Sequence, residues 1–286
     1  MKAHYRIKAV FCFCFLASNL YAQTETMAKD SIESKKASKF EFNVDFMTRY
    51  LWRGQCWGGD YAVVQPTINY AVSEKILIGF WATSNFKKDY FYPDEETAYK
   101  GYQEIDFNIN YQVSPFLSIQ LWDYYWPSVS RVEGVDNGFF NYGKDGVKTV
   151  DAMLVFDFSD YDFPLNATLS TLVAGNDFRY DQNGENPKQN FTTYFEAGYT
   201  WEELYKKITL DVLAGVVFNN QAAYYSYTDY DKPSLTNVSI KAEREFQLSE
   251  RLTMPVSLNY IHNAGKENTE AFGRNFWVAG ITINYQ

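Results

Sequence analysis

Histidine occurs only twice in this chain of 286 residues, and cysteine only three times. That scarcity excludes a zinc centre of Cys and His ligands, since His4 lies in the leading apolar segment and His262 stands alone. It excludes an internal disulfide as well, because Cys12 and Cys14 share that leading segment and only Cys56 remains beyond it. Long apolar runs are also missing. The one sustained stretch, Ala9 to Leu20, is well short of the roughly 20 residues a spanning helix needs. With only 16 Gly and few heptads, collagen-like and coiled-coil architectures are excluded. Basic charge is in deficit, with 26 Lys and Arg against 35 Asp and Glu, and a net charge of −9 repels the phosphates of nucleic acid.

What the chain does have is aromatic rings, 24 Tyr and 23 Phe among them, in a sequence that is 46% apolar. A disordered chain would lack them. Its first residues read as an address. Lys2, Arg6 and Lys8 precede the apolar run, and Tyr21-Ala22-Gln23 closes it, which predicts a secretory signal peptide over 1–22 with cleavage after Ala22. Removing it leaves 23 basic residues against 35 acidic ones, a mature charge of about −12. Residues 23–39 are polar and without period, and read as a flexible periplasmic leader.

From Phe40 onward the chain alternates apolar and polar residues. Ile105, Phe107, Ile109, Tyr111 and Val113 fall on one parity, with Glu104, Asp106, Asn108, Asn110 and Gln112 on the other. Successive side chains of a strand leave opposite faces, so one face is greasy and the other wet. Twelve such segments are predicted: 40–53, 63–72, 76–85, 102–113, 117–129, 149–158, 165–174, 190–200, 207–218, 235–247, 252–262 and 276–285. Trp81 and Asp123 break the alternation of the third and fifth, which leaves ten or fourteen strands as alternatives. Short and long connections alternate along the whole series, and the long ones are rich in Gly, Asn, Asp and Tyr.

That pattern predicts an all-β fold: a transmembrane up-and-down antiparallel barrel over 40–286, with short periplasmic turns and long extracellular loops. Ten residues at about 3.3 Å each, tilted some 40°, rise roughly 25 Å, matching the apolar band of a bacterial outer membrane. In lipid every backbone donor and acceptor must be paired, so the sheet has to close. A lipocalin or soluble sandwich is the alternative, with its apolar face turned inward.

The block Thr48-Arg49-Tyr50-Leu51-Trp52-Arg53-Gly54, followed by Val64-Gln65-Pro66-Thr67-Ile68-Asn69-Tyr70 and Ile78-Gly79-Phe80-Trp81-Ala82, resembles the start of the TorF-type (Gcw_chp-like) porin family. The family motif maps onto Thr48, Arg49, Tyr50, Trp52, Arg53 and Gly54. The resemblance covers about forty residues and implies an outer-membrane β-barrel of porin type. The last aromatic is the penultimate Tyr285, with Gln286 after it, whereas many outer-membrane barrels end on the aromatic.

If the apolar parity meets lipid, the other lines a lumen. Its predicted residues are Glu41, Asp45, Glu104, Asp106, Asp151, Asp157, Glu196, Asp211, Glu243 and Glu245, with Arg49, Arg53 and Lys241 as the basic members. An acidic lumen favours cations and neutral solutes. The alternative is that these charges, with Met47, Trp122 and Tyr124 also turned inward, form a network that fills the barrel. Arg49 and Arg53, read as two rungs of one strand, serve either as an ion-pair ladder or as a filter.

The aromatic cluster Trp122, Tyr124 and Trp126 reads as an interfacial girdle, or else as a stacking platform for sugars. Tyr224, Tyr225, Tyr227 and Tyr230 raise the same choice. Asp177, Asp181, Asn183 and Glu185 are oxygen-rich, but the order around Gly184 does not fit a calcium loop. His262 is the one candidate general base for a barrel lipid hydrolase or acyltransferase. Ser234, Thr236 and Asn275 near it form no recognisable triad, and no Gly-x-Ser-x-Gly elbow occurs.

The functional expectation is a passive outer-membrane channel for small hydrophilic solutes, not an enzyme, with no cofactor and no nucleic-acid partner. Phe86–Gly101 and Ser130–Lys148 are each long enough to fold inward and narrow it. The alternative is a non-conducting barrel that interacts at the surface through its Tyr-rich loops.

Overall fold

The computed structural model describes residues 39–86, 101–127, 134–225, 233–265 and 273–285. The signal segment 1–22, and the leader 23–39 apart from Lys39, lie outside the described residues.

Twelve strands close a barrel and two short ones form a separate hairpin. In chain order they are β1 Phe40–Met47, β2 Val63–Ala71, β3 Ile76–Ser84, β4 Gln103–Ser114, β5 Leu117–Tyr125, β6 Lys148–Asp157 and β7 Leu165–Gly175. There follow β8 Phe178–Arg179, β9 Lys188–Gln189, β10 Thr193–Tyr205, β11 Ile208–Val217, β12 Ser234–Ser249, β13 Leu252–His262 and β14 Asn275–Tyr285. Each barrel strand pairs antiparallel with the next, and β8 pairs with β9 in the connection between β7 and β10. Closure comes from β1 against β14, with Phe42 opposite Tyr285 and Phe46 opposite Ile281. No edge of the barrel sheet is left unpaired, as hydrocarbon requires.

The strand count is twelve, and the two irregular segments are genuine strands. Their breaks in alternation have physical causes. Trp81 stands opposite Asp106 and packs its ring on Tyr50 at 5.4 Å between centroids, so it belongs to the inner face. Asp123 is on the outer face because Lys148 reaches it, Nζ to Oδ2 2.5 Å. Short connections (72–75, 115–116, 158–164, 206–207, 250–251) and long ones (48–62, 85–102, 126–147, 176–192, 218–233, 263–274) alternate without exception.

Phe107, Ile109, Tyr111, Leu121, Ile240, Leu258 and Ile281 are exposed on the outside, while Asp106, Asn110, Gln120 and Lys241 next to them in the chain are buried. In water so broad an apolar belt would drive association. Around a transmembrane barrel it is the lipid contact. Aromatic pairs gather near both rims of this belt. At the short-turn end Phe116 stacks on Phe158 at 5.7 Å and Phe40 lies 4.7 Å from Tyr70. At the long-loop end Tyr260 lies 4.9 Å from Trp277, which is 61% exposed. Rings of this amphipathic kind settle at headgroup depth.

The predicted first strand requires correction. It was expected to run to Arg53, but pairing with β2 and β14 stops at Met47. The cause is a tight reversal. Trp52 and Gln55 exchange two backbone hydrogen bonds of 2.8 Å, and the two residues between them, Arg53 and Gly54, have φ of 49° and 83°. Positive φ at both central positions is the two-residue hairpin turn that matches strand twist, and glycine at the second favours it. The fifth strand likewise ends at Tyr125 rather than 129.

Candidate functional site

The connection 48–62 folds into the barrel, and its hairpin tip crosses the lumen. On one side the tip lies between β12, at Thr236, and the exit of β13, where Gly54 O accepts a 3.0 Å bond from Asn263 Nδ2. A Cβ at Gly54 would stand 1.9 Å from Thr236 O, so only glycine allows this approach. Arg53 points to β6, five strands from β1 around the wall. Its Nη2 reaches Asp151 Oδ2 at 2.8 Å and its Nη1 donates to Tyr225 OH at 2.7 Å. The guanidinium lies 4.6 Å from the Trp52 ring and 4.7 Å from the Tyr194 ring. Asp151 also accepts from Ser170 Oγ at 2.6 Å and Tyr124 OH at 3.2 Å. The pair is almost wholly buried, with side-chain exposures of 6% and 0%.

The ladder reading of Arg49 and Arg53 is therefore overturned. Neither is on β1, and they pair with different carboxylates. Arg49 stays near the wall, paired with Asp60 of the same connection and lying 5.9 Å from the Phe276 ring. Of the two connections long enough to fold inward, only part of the second is described. Residues 87–100 and 128–133 lie outside the described residues. The described remainder of Ser130–Lys148 packs on the outer face of β4 to β6, where Phe139 meets Phe107 and Tyr125 and the Tyr142 hydroxyl donates to Asp123 at 3.1 Å. Lys148, fully buried there, lies 4.0 Å from the Phe139 ring.

The other predicted lumen residues fall into separate groups. Glu104 and Asp106 are buried on neighbouring inward positions of β4, and Glu104 accepts from Tyr102 OH at 2.7 Å. Glu196 is buried on β10 and accepts from Tyr194 OH at 2.8 Å. Asp211, Lys241 and Glu243 form a cluster on β11 and β12, Lys241 Nζ lying 3.5 Å from Asp211 and 3.2 Å from Glu243. Asp45 accepts from Thr282 Oγ1 at 2.6 Å, and Glu41 is partly buried on β1. Asp157 accepts from Ser159 N at 2.9 Å and so organises a short turn, while Glu245 is exposed beside the last short turn.

Trp122, Tyr124 and Trp126 take the inward parity of β5 and its exit, so the girdle reading does not hold for them. Tyr124 is buried against Met153 and Leu172, with Trp52, Trp122, Trp126 and Tyr224 packed around it. Tyr225 is fully buried on Tyr194, and Tyr224 hydrogen-bonds Thr149 Oγ1 at 2.8 Å. Tyr227 and Tyr230 lie outside the described residues. The external half of the lumen is thus packed with rings around Arg53.

Sequence reasoning put Asn110 on the wet parity but singled out only charges as lumen residues, leaving most of the neutral lining unnamed. Asn43, Gln65, Thr67, Asn110, Gln120 and Ser170 are all buried on the inner face. The polar parity of each strand was the signal for them.

In the loops, Asp177 accepts from Thr192 N at 2.8 Å and Asp181 from Asn183 N at 3.0 Å and Glu185 N at 2.9 Å. Burial raises the Asp177 carboxyl above the usual carboxylate range, whereas the bond from Asn186 holds that of Asp181 below it. Among the described residues, no three His, Cys, Asp or Glu side chains are grouped to hold a metal ion. His262 Nδ1 is 2.8 Å from Asn275 Oδ1, which also accepts from Tyr260 OH, so its neighbour is an amide.

Cys56, in the inward connection, is buried and its thiol is pushed up to about 11, chiefly by that burial. At pH 8 maleimide labelling of the folded barrel should be at least about tenfold slower than for an ordinary thiol near 8.5. Stopped-flow labelling before and after unfolding checks it.

Closed pairing, an apolar belt and a polar interior define a membrane-spanning β-barrel. No protein-family model matches the chain, and no curated protein matches its sequence. Among solved structures it is similar to the NanC porin in a rhombohedral crystal form, at 8% identity and a TM-score of 0.48, over 86% of this chain and 99% of that one. It is similar to LpxR from Salmonella typhimurium at 10% identity and a TM-score of 0.42, over 86% and 99%. The translocator domain of the autotransporter NalP from Neisseria meningitidis gives 9% identity and a TM-score of 0.39, over 88% and 90%.

Proposed function

We propose that this chain is a porin-like barrel of a bacterial outer membrane, exported by its signal segment, and a passive channel for small hydrophilic solutes. The resemblance of residues 48–54 to the TorF-type porins points the same way. The observation that carries the reading is the wet inner face. Asn43 Oδ1, Thr67 Oγ1 and Asn110 Oδ1 are buried on that face and accept or donate no hydrogen bond within the protein. Leaving such groups dry costs about 1–3 kcal/mol each, so a hydrated lumen is the economical account of them. The inward hairpin supplies the constriction, and flow runs down the gradient. Carboxylates outnumber cations along the wall, so cations and neutral solutes pass in preference to anions.

The packed rings around Arg53 favour a second reading, a barrel closed at rest that acts through its external surface. Planar-bilayer recording of the purified protein separates the two. The channel reading expects stable small current steps with a reversal potential set by the cation gradient. Silence at high protein dose, or anion selectivity, contradicts it.

A further inference from the structure

Near the external end of the lumen the rings do not pack completely. They leave a cavity of about 10 Å³, walled by Tyr50, Trp57, Tyr102, Trp126 and Tyr224 together with Glu104. That is room for one guest of about the size of a water molecule. Trp126 and Tyr224 stand 5.0 Å apart, Trp57 and Tyr224 6.2 Å, and Tyr50 and Tyr102 5.7 Å, so the guest would meet ring surfaces on several sides.

The one charged side chain lining this place is acidic. Glu104 and Asp106 are 3% and 2% exposed, and among the described residues neither forms an ion pair with a lysine or arginine. Arg53 is committed to Asp151. The Tyr102 hydroxyl that donates to Glu104 is neutral, as are Tyr50 and Trp126 beside it. They solvate a carboxylate without cancelling its charge, and the ring faces add their own negative potential.

We infer that this aromatic box binds the ammonium head of a small protonated amine entering from the external side. The head group matches the cavity, an –NH3⁺ group being close to water in size, and it offers N–H donors to Glu104 and positive charge to the rings. A pyranose ring is too large for the cavity. The inference rests on the channel reading only for the route by which the amine arrives.

The test is a titration of the full chain, folded in detergent, with methylammonium chloride at constant ionic strength, read by tryptophan fluorescence because Trp57 and Trp126 wall the cavity. The expected result is a saturable change with methylammonium and none with sodium chloride or glucose. Glu104→Gln should weaken it at least tenfold. Trp57→Leu, in the loop and outside the barrel wall, should weaken it severalfold and serves if the Glu104 variant does not fold. Equal responses to sodium and methylammonium, saturation by glucose, or unchanged binding in a folded variant overturns the site. A barrel that conducts but does not bind methylammonium loses the site alone. One that binds it but is silent in bilayers loses the channel and keeps the site.

Discussion

Replacing Arg53 by alanine is expected to produce the largest single change in this protein, in both stability and conductance. The substitution removes a 2.8 Å ion pair and leaves Asp151, with no exposed side-chain surface, without its counter-ion. Breaking one side of such a pair costs about 3–5 kcal/mol, mostly the penalty of the charge left behind. Ser170 and Tyr124 still donate to Asp151, which favours the lower end of that range. The same change frees the hairpin tip from β6 and from the Tyr225 hydroxyl, so the lumen should widen. Urea unfolding in lipid vesicles reads the first effect and single-channel step size the second. An Arg53→Ala/Asp151→Ala double variant should lose less than the two single losses added together, because the orphaned charge is then gone. Maleimide labelling of Cys56, three residues beyond Arg53, should speed up as the connection loosens. Unchanged conductance together with unchanged labelling would show that the hairpin does not close the lumen.

The second large effect concerns depth in the membrane. Ile109 lies in the middle of β4 and Val113 near its short-turn end, both on the exposed outer face. Ile109→Arg should destabilise the barrel by about 2–4 kcal/mol, and Val113→Arg by only about 0–1 kcal/mol. On a water-exposed surface both would fall within about 0.5 kcal/mol of wild type. The difference between the two variants, measured by urea unfolding in vesicles, reports the hydrocarbon itself. Two small, equal effects would contradict a lipid-facing belt.

Much of this was legible because a barrel strand repeats a local rule. Ile105 to Val113 against Glu104 to Gln112 places two faces without knowledge of any partner, and the alternation of short and long connections fixes the order of neighbours. Where the chain departs from the rule, the cause lies far away in sequence. Nothing in the alternation of residues 40–53 marks Met47 as the end of β1, since Arg53 is held inward by Asp151 and Tyr225 and Gly54 by Asn263, between 98 and 209 positions further along. The Arg53-Gly54 pair was the one local sign of a reversal. Trp122 and Tyr124 could be read on either face, and Trp126 was misplaced, for a related reason. Leu121 and Tyr125 are as apolar as the rings between them, and Asp123 looks like an inward residue until Lys148 and the loop bearing Tyr142 cover it from outside.

Site-directed spin labelling at residues 107, 109, 110 and 281, in a Cys56→Ser background and in lipid vesicles, addresses the matter most directly. Relaxation by oxygen, which concentrates in hydrocarbon, should dominate at Phe107, Ile109 and Ile281 and fall away at Asn110, where a water-soluble nickel chelate has the advantage. Labels at 107, 109 and 281 that are shielded from both reagents, with the strongest nickel contact at the carboxylate-bearing face, would mean that the sheet is wrapped the other way round.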